Sequence, residues 1–424
     1  MSKLLTPISI HFSCMLIALA CARVASAENW PSWRGPTGNG ISTETDLPIE
    51  WSRQNNVRWR AELPEPGNST PIVWGDRVFI TQQMDGGKRR TVLCLDRVTG
   101  QQLWQSGVDA VEMEPTYETN PYCAPSPVTD GERVIAWFGS SGLVAFDMDG
   151  KELWRLPLGR VDHVYGHGSS PVVYGDLCFL NFGPGSREFA VAVNKTTGDI
   201  VWRYNARLPL KKASENIRGI QWDIFGTWST PILVDEQVIF CFRDQVTAFE
   251  PTSGKQIWTC KGLGPQMKPS PVVGEGVLVA LGGIASSTLA VRLGGKGDVS
   301  QSHRAWIRSG DPDWLGTGVI HRGHLFVTKT NGIVKCIELE SGKIVWQNRL
   351  SGSSGRPDTW SSLFLADGKI YVLNQSADVF VIEASPQYQL IATNSLGEHT
   401  NSTVVGSQGN LFIRTHEALW CIGE

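Results

Sequence analysis

A turn followed by a tryptophan recurs along this 424-residue chain. The stretch "DRVTGQQLW" ends at Trp104, and related stretches end at Trp154, Trp202, Trp258 and Trp346. Two copies are degraded, because one reaches Trp306 only after an insertion and "EASPQYQLI" puts Ile391 where a tryptophan is expected. Repetition at this spacing indicates an architecture in which each unit packs mainly against its neighbours.

Each repeat is predicted to form four β-strands. A short apolar strand precedes every turn, and further upstream a hydroxyl residue, usually followed by proline, opens two strands around a tight turn. The unit is therefore an antiparallel meander of about 40–50 residues, the size of a propeller blade. Eight outer strands are expected, centred on residues 59, 104, 154, 202, 258, 306, 346 and 391.

The two ends of the chain complement each other in this scheme. The final unit, "STVVGSQGNLFIRTHEALWCIGE", supplies only three strands, whereas Trp59 in "NVRWRAELP" has the flanks of an outer strand without a preceding turn. We expect the Trp59 strand to complete the last blade, because closure removes free sheet edges. The sequence thus predicts an all-β, eight-bladed propeller of four-stranded antiparallel blades over residues 59–424, after a preamble at 28–58.

The repeated turn has a physical interpretation. Asp96 can accept backbone N–H groups, and Gly100 can adopt the positive φ that other residues avoid. A tryptophan buries about 150–250 Å², so one per blade can hold each sheet to the next. The expected structural docking residues are Trp59, Trp104, Trp154, Trp202, Trp258, Trp306 and Trp346.

The repeat resembles the "AxDxxTGxxxW" tryptophan docking motif of the PQQ-dependent alcohol dehydrogenase superfamily, over about residues 59–424. The preamble "NWPSWRGPTGNGIS" (29–42) resembles the "WPxxRGPxGxG" opening common in such propellers. The chain is most similar to exported bacterial PQQ-like propellers, a group that includes proteins resembling BamB, the outer-membrane barrel-assembly lipoprotein. The resemblance implies the fold and leaves the function open, because the docking motif is structural in every member.

Residues 1–27 are predicted to be a secretory signal, with a basic start, an apolar stretch and an Ala25-Ser26-Ala27 cleavage site. Cleavage near Ala27 would place the protein in the periplasm or outside the cell, and lipidation of Cys21 is the less favoured alternative. The remaining chain has no apolar run long enough to span a membrane. With a net charge of −3 and no basic run, the protein is not expected to bind nucleic acid. It is expected to be a monomer.

The cysteines are predicted to be structural. Seven lie beyond the predicted signal, scattered and without a CxxC pair, which favours neither a disulfide framework nor a zinc site. Cys94, Cys336 and Cys421 fall in a column of third-strand residues that is otherwise Ala145, Ala192, Ala248, Ala290 and Val381. That column requires small apolar side chains. The vicinal Cys-Cys disulfide typical of quinoprotein alcohol dehydrogenases is absent from the sequence.

A column of hydroxyl residues opens the innermost strands, with Gly318 as the exception. It has two interpretations: small side chains suit the crowded propeller axis, or the hydroxyls form a polar ring for a ligand or ordered water. Its members are Thr70, Ser126, Ser170, Thr230, Ser270, Ser362 and Thr403.

The loops that enter the inner strands are long and rich in aromatic, amide and charged residues. They are expected to converge on one face of the propeller, where loops on a rigid scaffold often carry function. The alternative is that they hydrogen-bond to one another and seal the face. The candidate ligand-binding residues are Glu118, Asn120, Tyr122, His163, His167, Trp222, Asp223, Trp228, Lys268, Asp311, Asp313, Trp314, Arg356, Asp358, Trp360, Glu398, His399 and Asn401.

Three functions are consistent with these patterns. The preferred one is a non-catalytic binding or scaffold module for a protein, small molecule or glycan, with an extension to envelope protein assembly. The second is a PQQ-dependent oxidoreductase acting on an alcohol or sugar, with Glu118, Asn120 and Asp223 serving Ca²⁺ and the quinone. The third is carbohydrate binding by loop aromatics such as Trp314 and Trp360. No catalytic residue, metal site or cofactor is specified by a motif.

Overall fold

The computed structural model describes residues 28–206, 214–217, 220–283, 286–310, 314–352 and 358–423. The predicted signal segment therefore lies outside the described residues. Within them, the chain forms eight four-stranded antiparallel blades, which confirms the predicted all-β, eight-bladed propeller. Helix is limited here to two single 3₁₀ turns, Asp85–Gly87 and Gly139–Ser141. No helix among the described residues is long and apolar enough to cross a membrane.

The first four blades follow chain order from inner to outer strand. Blade 1 is Ile72–Trp74, Arg77–Met84, Arg89–Asp96 and Gln102–Asp109; blade 2 is Val128–Thr129, Arg133–Trp137, Leu143–Asp147 and Glu152–Leu156; blade 3 is Val172–Tyr174, Leu177–Asn181, Phe189–Asn194 and Ile200–Asn205; blade 4 is Ile232–Val234, Gln237–Phe242, Gln245–Phe249 and Gln256–Lys261.

Blades 5 to 7 continue this order, and blade 8 takes its outer strand from the other end of the chain. Blade 5 is Val272–Gly274, Val277–Ala280, Thr288–Arg292 and Arg304–Arg308; blade 6 is Val319–His321, His324–Thr328, Ile333–Glu338 and Ile344–Arg349; blade 7 is Phe364–Ala366, Lys369–Leu373, Asp378–Glu383 and Leu390–Ser395; blade 8 is Val405–Ser407, Asn410–Arg414, Ala418–Ile422 and Val57–Glu62.

Six short strands add to this frame. Ile41–Ser42 pairs in parallel with the inner strand of blade 7, and Gly297–Asp298 pairs in parallel with the outer strand of blade 4. A hairpin and a parallel pair lie in the loops around blade 4: Ser214–Ile217 with Ile220–Asp223, and Gly226–Thr227 with Gln266–Met267.

The outer turn of blade 1 shows why its residue types recur. Asp96 Oδ1 accepts the backbone N–H groups of Val98 (3.0 Å) and Thr99 (2.7 Å), and these bonds, led by those from Thr99, lower the pKa of Asp96. Gly100 has φ of 71° and lies against Trp59, where an added Cβ would come within 2.6 Å of the indole. The turn therefore needs glycine for its backbone conformation and for the neighbouring tryptophan.

Most outer-strand tryptophans reach the next blade. In six cases the indole Nε1 donates to a backbone carbonyl in the outer turn of the following blade, which satisfies the polar end of an otherwise packed ring. The pairs are Trp59–Arg97 (2.9 Å), Trp104–Met148 (2.8 Å), Trp154–Lys195 (2.9 Å), Trp202–Pro251 (2.7 Å), Trp306–Leu339 (2.8 Å) and Trp346–Ser385 (3.1 Å).

Trp258 departs from this pattern. Its indole donates to Gln237 Oε1 of its own blade at 2.8 Å. The reason is the insertion in the outer turn of blade 5, which places Gly297–Asp298 beside Trp258 and Thr259. The indole still lies in one buried cluster with Leu278 and Val299 of blade 5.

The register of blade 7 corrects the position that replaces tryptophan. Val381 pairs with Ala392 and Ile382 with Leu390, so Ile391 is the bulged residue and Ala392 occupies the tryptophan position. Blade 8, which follows, has no outer turn because its outer strand, Val57–Glu62, comes from a distant part of the chain. A tryptophan in blade 7 would thus have no turn to receive it.

The small third-strand residues lie directly opposite the tryptophans. Cys94 pairs with Trp104, Cys336 with Trp346, and Ala192 with Trp202. A small cross-strand partner leaves room for the indole on the same face of the sheet. The seven described cysteines are free and buried, and burial raises the pKa of the Cys94 thiol to about 12. These cysteines are packing residues.

The preamble crosses the propeller axis. Trp30 pairs with Val73 of blade 1, and Ile41–Ser42 lies on blade 7. Between them the buried Arg34 donates to the carbonyl oxygens of Leu363 (2.5 Å) and Gly318 (2.7 Å), and burial lowers its pKa to about 9. The preamble is thus packed into the ring.

Candidate ligand site in the axial channel

A cavity of about 540 Å³ opens at the loop end of the propeller axis. Its base is formed by the first residues of the inner strands, and its walls by the loops that lead into them. Aromatic, amide and hydroxyl groups predominate in the lining, which suits a small polar ligand with a flat face. The aromatic members are Trp33, Tyr117, Tyr165, Trp228 and Trp360, and the amide members are Asn68, Asn120, Asn331 and Asn401.

A ring of hydroxyl residues forms the base. In each of seven steps, the backbone N–H of one member donates to the hydroxyl oxygen of the next blade, over 2.8–3.1 Å. The hydroxyl groups therefore link neighbouring inner strands by hydrogen bonds. A small apolar side chain such as alanine would fit the same space but could not make these bonds. The order is Thr70, Ser126, Ser170, Thr230, Ser270, Thr317, Ser362 and Thr403.

The structure corrects one member of this ring. Gly318 is not an exception to the hydroxyl column, because the hydroxyl of blade 6 comes from the preceding residue, Thr317. Thr317 accepts the N–H of Ser270 at 2.9 Å and donates its own N–H to Ser362. The prediction missed Thr317 because blade 6 has Gly318 in place of the proline that follows the hydroxyl residue in most blades.

Three loops build an aromatic wall. Tyr117 meets Tyr165 edge-on at 5.5 Å, and Tyr165 lies 6.3 Å from Trp228. Trp228 is fixed by its indole bond to the Gly166 carbonyl (3.1 Å) and by the buried ring of His163 at 4.9 Å. Ring pairs of this kind hold one another rigid, so the wall is preorganised for stacking.

The same loops also bond to each other. Asn120 Nδ2 donates to the carbonyls of Tyr165 (2.7 Å) and His167 (3.0 Å), and Asn401 Oδ1 accepts from Gln375 at 2.8 Å. Loop-to-loop bonding, expected as the alternative to binding, is therefore present beside an open cavity. The bonds shape the cavity wall and do not seal it.

Six of the predicted candidates line the cavity and others do not. Glu118 is exposed outside it, and Tyr122 instead caps a buried ion pair. Trp314 belongs to the core between blades 5 and 6. Asp311, Asp313 and Arg356, together with the side chains of Trp222 and Asp223, lie outside the described residues. The lining candidates are Asn120, Trp228, Lys268, Asp358, Trp360 and Asn401.

A buried ion pair supports the loop carrying Tyr117 and Asn120. Arg90 donates to both carboxylate oxygens of Glu114, at 2.6 and 2.7 Å, and both side chains are fully buried. Burial alone would raise the pKa of Glu114, but the bonds from Arg90 outweigh it and lower the pKa. His167 lies beside the pair, with Nδ1 3.9 Å from Glu114.

Glu398 and His399 also have structural positions. Glu398 is buried and accepts from Arg60 (3.0 Å), Thr415 (2.5 Å) and Trp420 (2.9 Å), which ties the outer strand of blade 8 to its inner loop. The ring of His399 packs edge-on against His416 at 4.5 Å. Neither residue lines the cavity.

Two histidines, His167 and His416, make stability depend on pH. Burial lowers the pKa of His167 to about 4, and burial together with His399 lowers the pKa of His416 to about 4. Unfolded histidine titrates near 6.5. Between pH 6.5 and 4 the unfolded chain therefore binds more protons, and stability falls as the pH falls through this window.

We expect His167→Gln to reduce this pH dependence by about 1.4 kcal/mol per pH unit. Urea unfolding at intervals from pH 7 to pH 4 measures the slope. His303→Gln is the control, since His303 is partly exposed on the insertion of blade 5, where its ring bonds to Ser302. An unchanged slope in His167→Gln would show that His167 is not buried in its neutral form.

Sequence reasoning missed several residues of the site. Tyr117 and Tyr165 lie in the loops predicted to carry the site, but nothing in their spacing distinguishes them from other aromatic residues. Trp33 comes from the preamble and reaches the cavity through the channel; it also lines a second cavity of about 370 Å³ toward the opposite mouth. Arg90 and Glu114 could have been found from the sequence. Arg90 is a charged residue inside the apolar strand "RRTVLCLD", and Glu114 is an acidic residue in the loop that follows the same blade.

The described lining residues fit a calcium–quinone centre poorly. They supply one carboxylate, Asp358, and one ammonium group, Lys268. Glu118 lies away from the cavity, and the side-chain amide of Asn120 donates its hydrogens to two backbone carbonyls. Among the described residues there is also no cluster of three or more acidic, histidine or cysteine side chains that could hold a metal.

Eight four-stranded blades, seven of them with a tryptophan on the outer strand, surround a polar axial cavity and define a closed β-propeller. A family model described as outer membrane protein assembly factor BamB matches residues 41–185, 149–303 and 298–394. The chain therefore belongs to this family of PQQ-like propellers.

Individual relatives are more distant. The polyvinylalcohol dehydrogenase of Sphingopyxis sp. (strain 113P3) is 24% identical over 277 residues, which cover 57% of this chain and 40% of that protein. The aligned region thus spans less than half of the relative's length.

Two solved structures share the fold. The quinohemoprotein alcohol dehydrogenase from Comamonas testosteroni superimposes with a TM-score of 0.68 at 9% identity, over 93% of this chain and 81% of that one. BamB from Moraxella catarrhalis gives 0.58 at 13% identity, over 87% and 97%. At these identities the likeness shows a common architecture alone.

Proposed function

We propose that this protein is an exported, non-catalytic binding module that holds its ligand in the axial cavity of the loop face. The observation that carries the proposal is the cavity itself, where a rigid aromatic wall faces amide groups and a hydroxyl base. Flat aromatic faces stack on rings, and amides and hydroxyls bond to ligand hydroxyl groups. A hydroxylated ring, such as that of a sugar, matches this combination.

Binding and catalysis make different demands on the site. General acid–base catalysis needs a group of tuned pKa within hydrogen-bond reach of the substrate. The lowered pKa values of His167, His416 and Glu114 belong to residues that support the loops and do not line the cavity. This distribution favours a binding protein over an enzyme.

A glycan array followed by calorimetric titration tests the proposal. We expect the protein to bind at least one sugar class, and Trp360→Ala to weaken that binding about tenfold or more, since a stacked ring contributes about 1–3 kcal/mol. Trp314→Ala is not an adequate second probe, because Trp314 is buried in the core. Tyr174→Ala, at an exposed position on the inner hairpin of blade 3, is the matched control. Absence of any sugar binding would contradict the proposed ligand class.

The second candidate is a PQQ-dependent oxidoreductase, favoured by the similarity to proteins named as alcohol and polyvinylalcohol dehydrogenases. PQQ would supply a quinone that accepts electrons from an alcohol. Residues of this chain placed to contact it are Trp360, Lys268 and Asp358. Titration with PQQ and Ca²⁺, followed by dye-linked alcohol oxidation, separates the candidates, because a binding module should show neither tight quinone binding nor turnover.

A role in envelope protein assembly is an extension of the binding proposal, motivated by the description of the family model. It requires a protein partner on the exposed rim of the loop face. In-cell crosslinking from the exposed Met113, in the loop that follows blade 1, should then recover a discrete envelope protein. Crosslinking from Ile344, on an outer strand, is the control, and equal products from both sites would argue against a specific partner.

A further inference from the structure

The hydrogen-bond polarity of the hydroxyl ring indicates which part of a ligand enters deepest. Six ring members that line the cavity accept a backbone N–H from the preceding blade: Ser126, Ser170, Thr230, Ser270, Ser362 and Thr403. A hydroxyl has one hydrogen to donate and two lone pairs with which to accept. The inter-blade bonds use a lone pair and leave every hydroxyl hydrogen available.

None of these six hydroxyls donates to an acceptor within the part of the chain that the structure describes. All are at least nine-tenths buried, with exposures between 1% and 6%. A buried hydroxyl hydrogen without an acceptor is costly, so a ligand or ordered water that accepts from it is favoured. The base of the cavity is therefore a ring of donors directed at the propeller axis.

We infer that this ring is a subsite for a carboxylate, and that the ligand is a sugar acid. This rests on the proposed binding function and specifies its ligand. An ionised carboxylate only accepts hydrogen bonds and can take about four, which matches several converging donors. Hydrogen bonds to a charged acceptor are roughly twice as strong as neutral ones. Lys268 adds a positive charge to the wall, with its Nζ 6.0 Å from the centre of the Tyr165 ring.

The closed ring contains its own control. Thr317 makes the same inter-blade bond as Thr230, at the same 2.9 Å, but does not line the cavity. Thr230→Val and Thr317→Val each leave one backbone N–H, of Ser170 or Ser270, without its acceptor. The two variants should therefore lose similar stability, and only Thr230→Val should lose a donor to the ligand.

Calorimetric titration with glucuronate and with glucose tests the subsite. We expect wild-type protein to bind glucuronate at least about tenfold more tightly than glucose, the factor that corresponds to one charge-assisted bond. Thr230→Val should weaken glucuronate binding about tenfold and glucose binding much less, Thr230→Ser should restore it, and Thr317→Val should leave both affinities unchanged. Urea unfolding midpoints of the two valine variants verify that both fold.

The outcomes separate the two proposals. Equal affinity for glucose and glucuronate, with both insensitive to Thr230→Val, would overturn the carboxylate subsite and leave the binding function standing. Equal losses in Thr230→Val and Thr317→Val would assign the ring to inter-blade bonding alone. If neither sugar binds and the glycan array is also negative, both proposals fail. Should Thr230→Val not fold, Ser270→Ala removes another lining hydroxyl and serves in its place.

Discussion

Replacing Trp104 with alanine is expected to lower the free energy of unfolding by about 3 kcal/mol. The indole packs between Phe79 and Phe146 at 5.9 and 6.5 Å and donates to the Met148 carbonyl in the next blade. Its loss opens a cavity at a blade interface and removes one of the two donors to that carbonyl, the other being Arg77. Urea unfolding measures the change, and ligand binding by the folded fraction should remain as in the wild type.

Leu103→Ala is the matched control for Trp104→Ala. Leu103 is the adjacent residue, lies in the bulge of the same outer strand and is 50% exposed. Its replacement should change stability by no more than about 0.5 kcal/mol. If the two variants lose equal stability, the outer strand itself, and not the inter-blade indole, would be what holds blade 1 to blade 2.

Replacing Glu114 with glutamine is expected to cost about 3–5 kcal/mol. The change leaves the guanidinium of Arg90 fully buried without a counter-charge, and such a charge is very unfavourable in the interior. Because the loop with Tyr117 and Asn120 follows Glu114, ligand affinity should fall as well. Chemical unfolding and sugar titration of the same sample measure both effects.

Glu132→Gln is the control for this ion pair. Glu132 pairs with Arg133 at 2.9 Å, but its side chain is 75% exposed, so its loss should cost less than about 1 kcal/mol. The double variant Arg90→Met, Glu114→Leu removes both charges and should recover much of the lost stability. If the double variant is no more stable than Glu114→Gln, the packing of Arg90 would matter more than its charge.

The sequence predicted the blades well, because each blade repeats a local pattern. Strand alternation, the Asp96 turn and the spacing to Trp104 are all determined within about ten residues, so reading them needs no knowledge of distant contacts. The errors fall where blades depart from the repeat. Gly318 was predicted in the hydroxyl column where the structure has Thr317, and Ile391 in the tryptophan column where it has Ala392.

The site was predicted less well, because it depends on contacts between distant parts of the chain. Trp33 precedes the first blade by some forty residues but lines a cavity together with Trp360. The fixed position of Tyr165 depends on Trp228, which lies in a loop one blade further along the chain. Loop length and composition indicated the face on which the cavity opens, but the side chains that face the axis follow from ring geometry, which no local pattern contains.

The shared blade has a consequence for how the ring forms. Val57–Glu62 must wait for Ala418–Ile422, more than 350 residues later, before it gains its pairing partner. Until then both strands are unpaired edges, which favour association with other chains. Contacts of such sequence separation also slow folding. A chain that crosses a membrane before folding would carry these two edges throughout transit. The ring closes when Val57–Glu62 pairs with Ala418–Ile422. The axial cavity has a complete wall only after that pairing.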